Sequence, residues 1–180
     1  MEPRNAVDHA DPSGYNAIIK NVGGTFEVSL LVSFIGGTAA ERQLVKNEIA
    51  KQWTSDEFHI KTTVTEVPSD IAMNTIAIGD GKTTNVLPIG PNGSMNFMNI
   101  GLGQSGKDVI YGIRHESGHL LGIIDHYDRV DDEAGNMVAS TVWGGFDQDV
   151  MGASGKFGIT TMDIWEIYAS DQNIHIPADN

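Results

Sequence analysis

The stretch HESGHLLGIID, residues 115–125, decides which fold and which chemistry this sequence predicts. His115 and His119 are four residues apart, so on a helix they lie on one face, and both imidazoles can reach a single ion. Zinc takes imidazole nitrogens and carboxylate oxygens as ligands, and a catalytic site keeps its fourth position for water. Glu116 projects from the same side, beside that water, where a carboxylate can accept its proton.

Gly122 explains how a third ligand reaches the same ion. A residue without a Cβ readily adopts the left-handed conformation and ends a helix abruptly. The chain then turns back, and Asp125, three residues later, can complete the coordination. A shift of one residue would put His126 there instead, so the sequence leaves the choice between them open. One of the residues 126–128 is expected to orient a ligand by a hydrogen bond.

A site without catalysis is the alternative reading of this stretch. The pattern HExxH is short, and helices carry it without a metal. A glycine and an acidic side chain at the right distances make a metal site the better interpretation. A purely structural zinc accounts neither for Glu116 nor for the lack of a fourth protein ligand. We therefore predict a catalytic Zn²⁺ held by His115, His119 and Asp125.

The spacing HExxHxxGxx(H/D) resembles the zinc signature of the metzincin peptidases, and the form that ends in Asp is similar to the bacterial snapalysins. In that family a tight turn places a methionine beneath the metal, and Met151 in the segment DVMG (149–152) matches this position. The segment GITTMDIWEIY (158–168) is similar to the closing helix of the family. The resemblance covers about residues 25–170 and is specific over 108–170.

The resemblance implies an α/β (α+β) fold of the metzincin type, with a mixed twisted sheet, an active-site helix, a Met-turn and a C-terminal helix. It also implies a zinc endopeptidase in which Glu116 is the general base and Met151 and Gly122 support the metal site. Substrate would bind antiparallel to an edge strand at about residues 95–103. The sequence departs from the family in two places: Asp125 replaces the commoner third histidine, and Ala153 stands where some members carry an extra tyrosine ligand.

Local patterns predict alternating strands and helices along the chain. In order, they are a strand at 25–36, a helix from a Thr38 cap with Glu41 to near residue 55, strands at 58–67 and 74–78, a helix over about 106–121, a loop-rich stretch over 125–157, and a helix after a Thr160 or Thr161 cap.

The domain organisation predicted from these patterns is simple. Residues 1–24 are polar and rich in turn formers, so we interpret them as a lead-in segment. Residues 25–180 form a single metallopeptidase domain, which we divide into an upper subdomain of about 25–122 and a lower one of about 123–180.

Charge limits the partners that this chain is expected to bind. Eleven basic and 24 acidic residues give a formal net charge of −13, which disfavours nucleic acid and anionic membrane surfaces. A peptide or protein substrate is the expected partner. The absence of cysteine excludes thiol nucleophiles and Cys-type zinc sites but leaves the compartment open. The resemblance favours a bacterial, secreted or extracellular protein, although the N-terminus has no apolar run of the kind a secretory signal carries.

The sequence leaves two alternative functions open. The chain is an inactive zinc-binding relative that uses its groove to hold a protein, or it is a peptidase toxin released from a larger carrier. The segment NAVDHADPSGY (5–15) faintly resembles the end of the repeat core of Rhs-type polymorphic toxins. In that case an inhibitor or immunity protein is a further expected partner.

Overall fold

The computed structural model describes residues 16–87, 96–131, 133, 137–152 and 156–177. The segment 5–15 and Ala153, to which two expectations apply, lie outside these residues. Within them the chain forms nine strands and three helices: β1 (Ala17–Val22), β2 (Thr25–Gly36), α1 (Ala39–Gln52), β3 (Ile60–Glu66), β4 (Asn74–Gly79), β5 (Asn85–Leu87), β6 (Phe97–Gly101), α2 (Gly106–Leu120), β7 (Tyr127–Asp131), β8 (Met137–Val142), α3 (Thr161–Ala169) and β9 (Asn173–Ile176).

Seven strands form one mixed sheet, as predicted. The order along the sheet is β5-β6-β4-β2-β1-β9, and β3 pairs with β2 from the other side. Val32 pairs with both Glu66 of β3 and Asn74 of β4, so the long strand β2 has neighbours on both sides over much of its length. Four strand pairs are parallel: β2–β3, β2–β4, β4–β6 and β1–β9. Two pairs are antiparallel: β1–β2 and β5–β6.

The sheet begins earlier than the sequence predicted. Residues 17–22, assigned to the lead-in segment, form β1, which buries Ala17 and Ile19. Gly23 and Gly24 are the two central residues of the hairpin turn that joins β1 to β2, with φ of +59° and +89°. Two successive residues with positive φ are what a tight hairpin requires, so this pair marks a turn inside the domain and not its border.

The edge strand next to the helix α2 also differs from the prediction. β6 lies inside the sheet, between β4 and β5, and β5 is the outer strand. On its outer side, β6 pairs with Asn85, Val86 and Leu87 of β5. A strand of three residues within a Gly/Pro/Asn-rich loop has too little periodicity to be recognised from sequence. The stretch 125–157 was likewise predicted to be loop-rich, yet it contains the hairpin β7-β8.

The helices begin where the sequence predicted. Thr38 caps α1 and Thr160 caps α3, and each helix has a reciprocal capping box, closed by Glu41 and Asp163 respectively. No described helix is long and apolar enough to cross a membrane. α1 packs its buried residues against α2 through Trp53, which is fully buried and donates its indole N–H to Ser117 Oγ at 2.8 Å. This contact fixes the back of the helix that carries the two histidines.

The C-terminal part returns to the sheet that the N-terminal part begins. β9 pairs with β1, with Ala17 opposite Asn173. Asn173 also donates from its side-chain amide to the carbonyl oxygens of Leu121 and Ile167, at 2.9 and 2.8 Å. The end of α2, the end of α3 and β9 are therefore held at one point. The division into an upper and a lower subdomain stays a prediction.

Candidate metal centre

Helix α2 presents His115 and His119 to the same side. Their Nδ1 atoms each lie 2.8 Å from a backbone carbonyl oxygen, of Val150 for His115 and of Ile123 for His119. A carbonyl accepts but never donates, so each Nδ1 carries a proton, and in the neutral ring the lone pair is on Nε2. Both side chains are about nine-tenths buried. The two rings are thus fixed with their free nitrogens directed at a common point.

The turn at Gly122 brings Asp125 to that point. Gly122 has φ of +86°, and a Cβ there would collide with the side chain of Ser170, so the position excludes other residues on two grounds. Ile123 N donates to Gly118 O at 3.0 Å and closes the end of the helix. Asp125 Oδ1 then lies 3.1 Å from His115 Nε2 and 3.5 Å from His119 Nε2. The three predicted ligand atoms therefore converge.

The chemistry of these three atoms fits a metal ion. Asp125 Oδ1 is buried and has no hydrogen-bond partner, and it faces the lone pair of the His115 ring. Two electron-rich atoms 3.1 Å apart repel unless a proton or a cation lies between them. The pKa of His115 is raised, because Asp125 and the Val150 carbonyl outweigh the effect of burial, and burial lowers the pKa of His119. Two imidazole nitrogens and one carboxylate are a donor set that zinc accepts.

Glu116 lies next to the three candidate ligands and is not one of them. Its Oε2 accepts a hydrogen bond of 2.9 Å from the backbone N–H of Val86 in β5. Burial raises the pKa of Glu116 to about 7, against the lowering effects of His115 and the Val86 N–H. A carboxyl group whose pKa is near 7 both accepts and releases a proton at neutral pH. The sequence contained no signal for the contact with Val86.

The turn at residues 149–152 contacts both α2 and the His115 ring. Met151 is fully buried, and its sulfur occupies the space next to Gly118, where a Cβ would collide with it. Asp149 Oδ1 accepts a hydrogen bond from Met151 N at 3.1 Å and so sets the turn. The same turn supplies the Val150 carbonyl that holds the His115 ring. Met151 thus packs against α2 at Gly118, between the two histidines.

His126, which the sequence left as an alternative ligand, faces away from the other two histidines. Its ring is fully buried, with Nδ1 2.5 Å from Asp149 Oδ2 and Nε2 3.2 Å from Glu166 Oε1. Asp163 Oδ1 lies 3.7 Å from the same Nδ1. A separation of 2.5 Å is that of a hydrogen bond and is too short for two ligands of one ion. Asp125 is therefore the residue that this geometry favours as the third ligand.

Two tyrosines complete the surroundings. Tyr127 stacks on the His115 ring at 6.5 Å between centroids, and burial followed by the Asp125 charge raises its pKa to about 12. Tyr111, one turn before His115 on α2, has its hydroxyl 3.3 Å from Val150 O. Sequence reasoning missed Tyr111, although its spacing of four residues from His115 is a helical signal.

The chain has a metzincin-like fold. Its parts are the twisted mixed sheet, the helix that carries the two histidines, the turn at 149–152 and the C-terminal helix. Two solved structures of myroilysin share this fold. One is 15% identical with a TM-score of 0.50, covering 77% of this chain and 90% of that one. The other, a crystal structure, is 16% identical with a TM-score of 0.51, and the match covers 94% of this chain and 98% of that one. At this identity the likeness is one of fold. No protein-family model and no curated protein matches the sequence.

Proposed function

We propose that this chain is a zinc-dependent endopeptidase of the HExxHxxGxxD type, similar to the snapalysins. The observation that supports this most directly is the convergence of Asp125 Oδ1 with the Nε2 atoms of His115 and His119, at 3.1 and 3.5 Å. The three residues would hold a single Zn²⁺. A bound zinc supplies a Lewis acid that polarises the peptide carbonyl and lowers the pKa of a water.

Glu116 would carry the proton during hydrolysis. The carboxylate takes one proton from the attacking water as the new C–O bond forms, and it passes that proton to the amine nitrogen as the C–N bond breaks. Val86 N–H holds one carboxylate oxygen, Oε2, which leaves Oε1 for the water. Both α2 and β5 therefore orient this side chain, and the position of the base depends on the position of the edge strand.

Substrate would bind as an extended strand along β5. This outer strand is the one next to the proposed base, and an open strand edge binds an extended peptide through backbone hydrogen bonds. A cavity of about 580 Å³ lies alongside α2 and would receive a substrate side chain. Ile110, Tyr111 and Phe157 give it apolar walls, and Arg114 lies over the Phe157 ring at 4.6 Å. We expect a large apolar or aromatic side chain there.

The net charge of −13 supports a protein substrate over nucleic acid or an anionic membrane. A secreted bacterial protease and a toxin domain with a matching immunity protein both fit such a function. Neither setting changes the chemistry proposed for the site.

The decisive experiment compares the wild type with Glu116→Gln, loaded with zinc, on an unfolded protein substrate. We expect the wild type to cleave it and the variant to lose activity by about 10²–10⁴-fold, since a general base contributes that much. Both proteins should bind one zinc ion per chain, because Glu116 is not a ligand. Activity that survives in Glu116→Gln would contradict the mechanism. Zinc binding without activity in the wild type would favour an inactive, protein-binding relative.

A further inference from the structure

We propose that His126 and Glu166 are positioning residues that hold Asp125 in place as a metal ligand. We call this pair the ligand clamp. The inference rests on the proposed function, since it assigns a role to residues around the same ion. It concerns two polar side chains, one fully buried and one partly buried, that have no role in the proposed hydrolysis.

The clamp fixes the backbone on both sides of Asp125. Ile124 N donates to Glu166 Oε2 at 3.1 Å, and His126 N donates to Met151 O at 3.0 Å. The His126 carbonyl in turn accepts from Trp143 N at 2.9 Å. Since both neighbours of Asp125 are tied to other elements, the direction of its own side chain is set, although that side chain is over one-third exposed.

The His126 ring joins two elements of the fold. Its Nδ1 bonds to Asp149 in the turn 149–152, and its Nε2 bonds to Glu166 on α3. Phe146 and Trp143 lie close to the ring, at 4.0 and 5.9 Å between centroids, and the residue is fully buried. An imidazole has polar atoms at two ends of a rigid ring, so it spans this gap where a shorter side chain reaches only one partner.

The same network also reaches a second ligand. Asp149 bonds to His126 through one carboxylate oxygen and to Met151 N through the other. The turn that it shapes supplies the Val150 carbonyl, which holds the His115 ring by its Nδ1. A change in the clamp should therefore disturb Asp125 directly and His115 through the turn. Outer partners of this kind typically alter metal affinity by about 10–100-fold when they are lost.

The test measures zinc affinity by competition with a chelator, at a temperature where every variant is folded. Glu166→Ala removes the bonds to both Ile124 and His126 from a partly exposed helix position, so it should fold. We expect its zinc dissociation constant to rise about 10–100-fold. The matched control is Glu66→Ala, which removes a carboxylate bonded to Arg42 and Lys46, far along the chain on β3, and should leave zinc affinity unchanged.

A second variant tests the histidine itself. His126→Asn offers an amide in the place of Nδ1, so it keeps a donor for Asp149 and loses the bond to Glu166. Its zinc affinity should fall by no more than that of Glu166→Ala, which also loses the bond to Ile124. The double variant should be about as weak as Glu166→Ala, because both changes break the link between His126 and Glu166. Unchanged affinity in Glu166→Ala, or an equal loss in Glu66→Ala, would overturn the proposal.

The outcome is separable from that of the proposed function. Zinc affinity is read without activity, so a wild type that binds zinc and does not cleave would refute the peptidase and still test the clamp. Two zinc ions per wild-type chain, one of them lost in His126→Asn, would also refute the clamp, since the cluster of His126, Asp149 and Asp163 would then be a metal site of its own.

Discussion

Asp125 contributes one oxygen atom, Oδ1, to the point where the three proposed ligands meet, and that atom has no hydrogen-bond partner. A carboxylate at this position adds a negative charge that a third histidine does not. The bound water of such a site should be less acidic than in a three-histidine site. The charge of Asp125 is thus the residue-scale feature that would distinguish the proposed centre from a three-histidine site.

Replacing Asp125 with Asn keeps the shape of the side chain and removes its charge. We expect the zinc dissociation constant to rise by more than the roughly 10–100-fold that the loss of an outer partner produces. Chelator competition measures it. Asp128→Asn is the matched control, because Asp128 is exposed on the same stretch and bonds to Trp143 Nε1. An equal loss of affinity in both variants would show a general effect of charge and would contradict a direct ligand role.

The sequence could predict that His115, His119 and Asp125 converge, because their spacing is local. His115, Glu116 and His119 lie within five residues of one helix, and Gly122 predicts the turn that brings Asp125 close to the two histidines. The partners of these residues are distant in the chain. Val86 reaches Glu116 from 30 positions away, and Glu166 reaches Ile124 from 42. Such contacts depend on tertiary packing, for which one sequence carries no periodic signal.

At the scale of elements, α3 begins with an aspartate in an unusual environment. Asp163 closes the capping box of Thr160 while being fully buried near Asp149 and His126. Burial, followed by the charge of Asp149, raises the pKa of Asp163 to about 6. An aspartate in an unfolded chain loses its proton near pH 4. The stabilising contribution of protonated Asp163 is therefore fully present below about pH 4 and is lost as the pH rises to about 6.

The variant Asp163→Asn should remove this dependence on pH. The free energy of unfolding of the wild type, minus that of the variant, should fall by at most about 3 kcal/mol between about pH 4 and about pH 7. Urea denaturation at several pH values measures the difference. Asp108→Asn, at the corresponding capping position of α2 but exposed, is the control that should not show this fall. A difference that stays constant with pH would contradict the argument.

Element prediction succeeded where the pattern is long or the cap is explicit. β2 was predicted with its observed bounds, since twelve residues of β-branched and aromatic character leave little choice. β1 and β5 were missed for different reasons. β1 is short, and its Gly23-Gly24 turn was interpreted as a domain border. β5 has three residues, and only its place beside β6 makes it a strand.

At the scale of the whole molecule, a metal that binds the folded state alone should stabilise it. Zinc at about 100 times its dissociation constant adds roughly 2.7 kcal/mol. For a chain of this size, that corresponds to a rise in Tm of roughly 5–10 °C. Thermal denaturation with zinc and with a chelator measures it. Glu116→Gln should show the full rise and Asp125→Asn a smaller one. The same Tm with and without zinc would contradict a site formed by folding.

The pairing of β1 with β9 also determines when this sheet can be completed during synthesis. Residues 17–20 leave the ribosome well before their partners at 173–176. A nascent chain can thus carry His115, His119 and Asp125 before α3 and β9 exist to secure the loop around them. On the proposed function, tight metal binding would therefore be expected only after α3 and β9 have been synthesised.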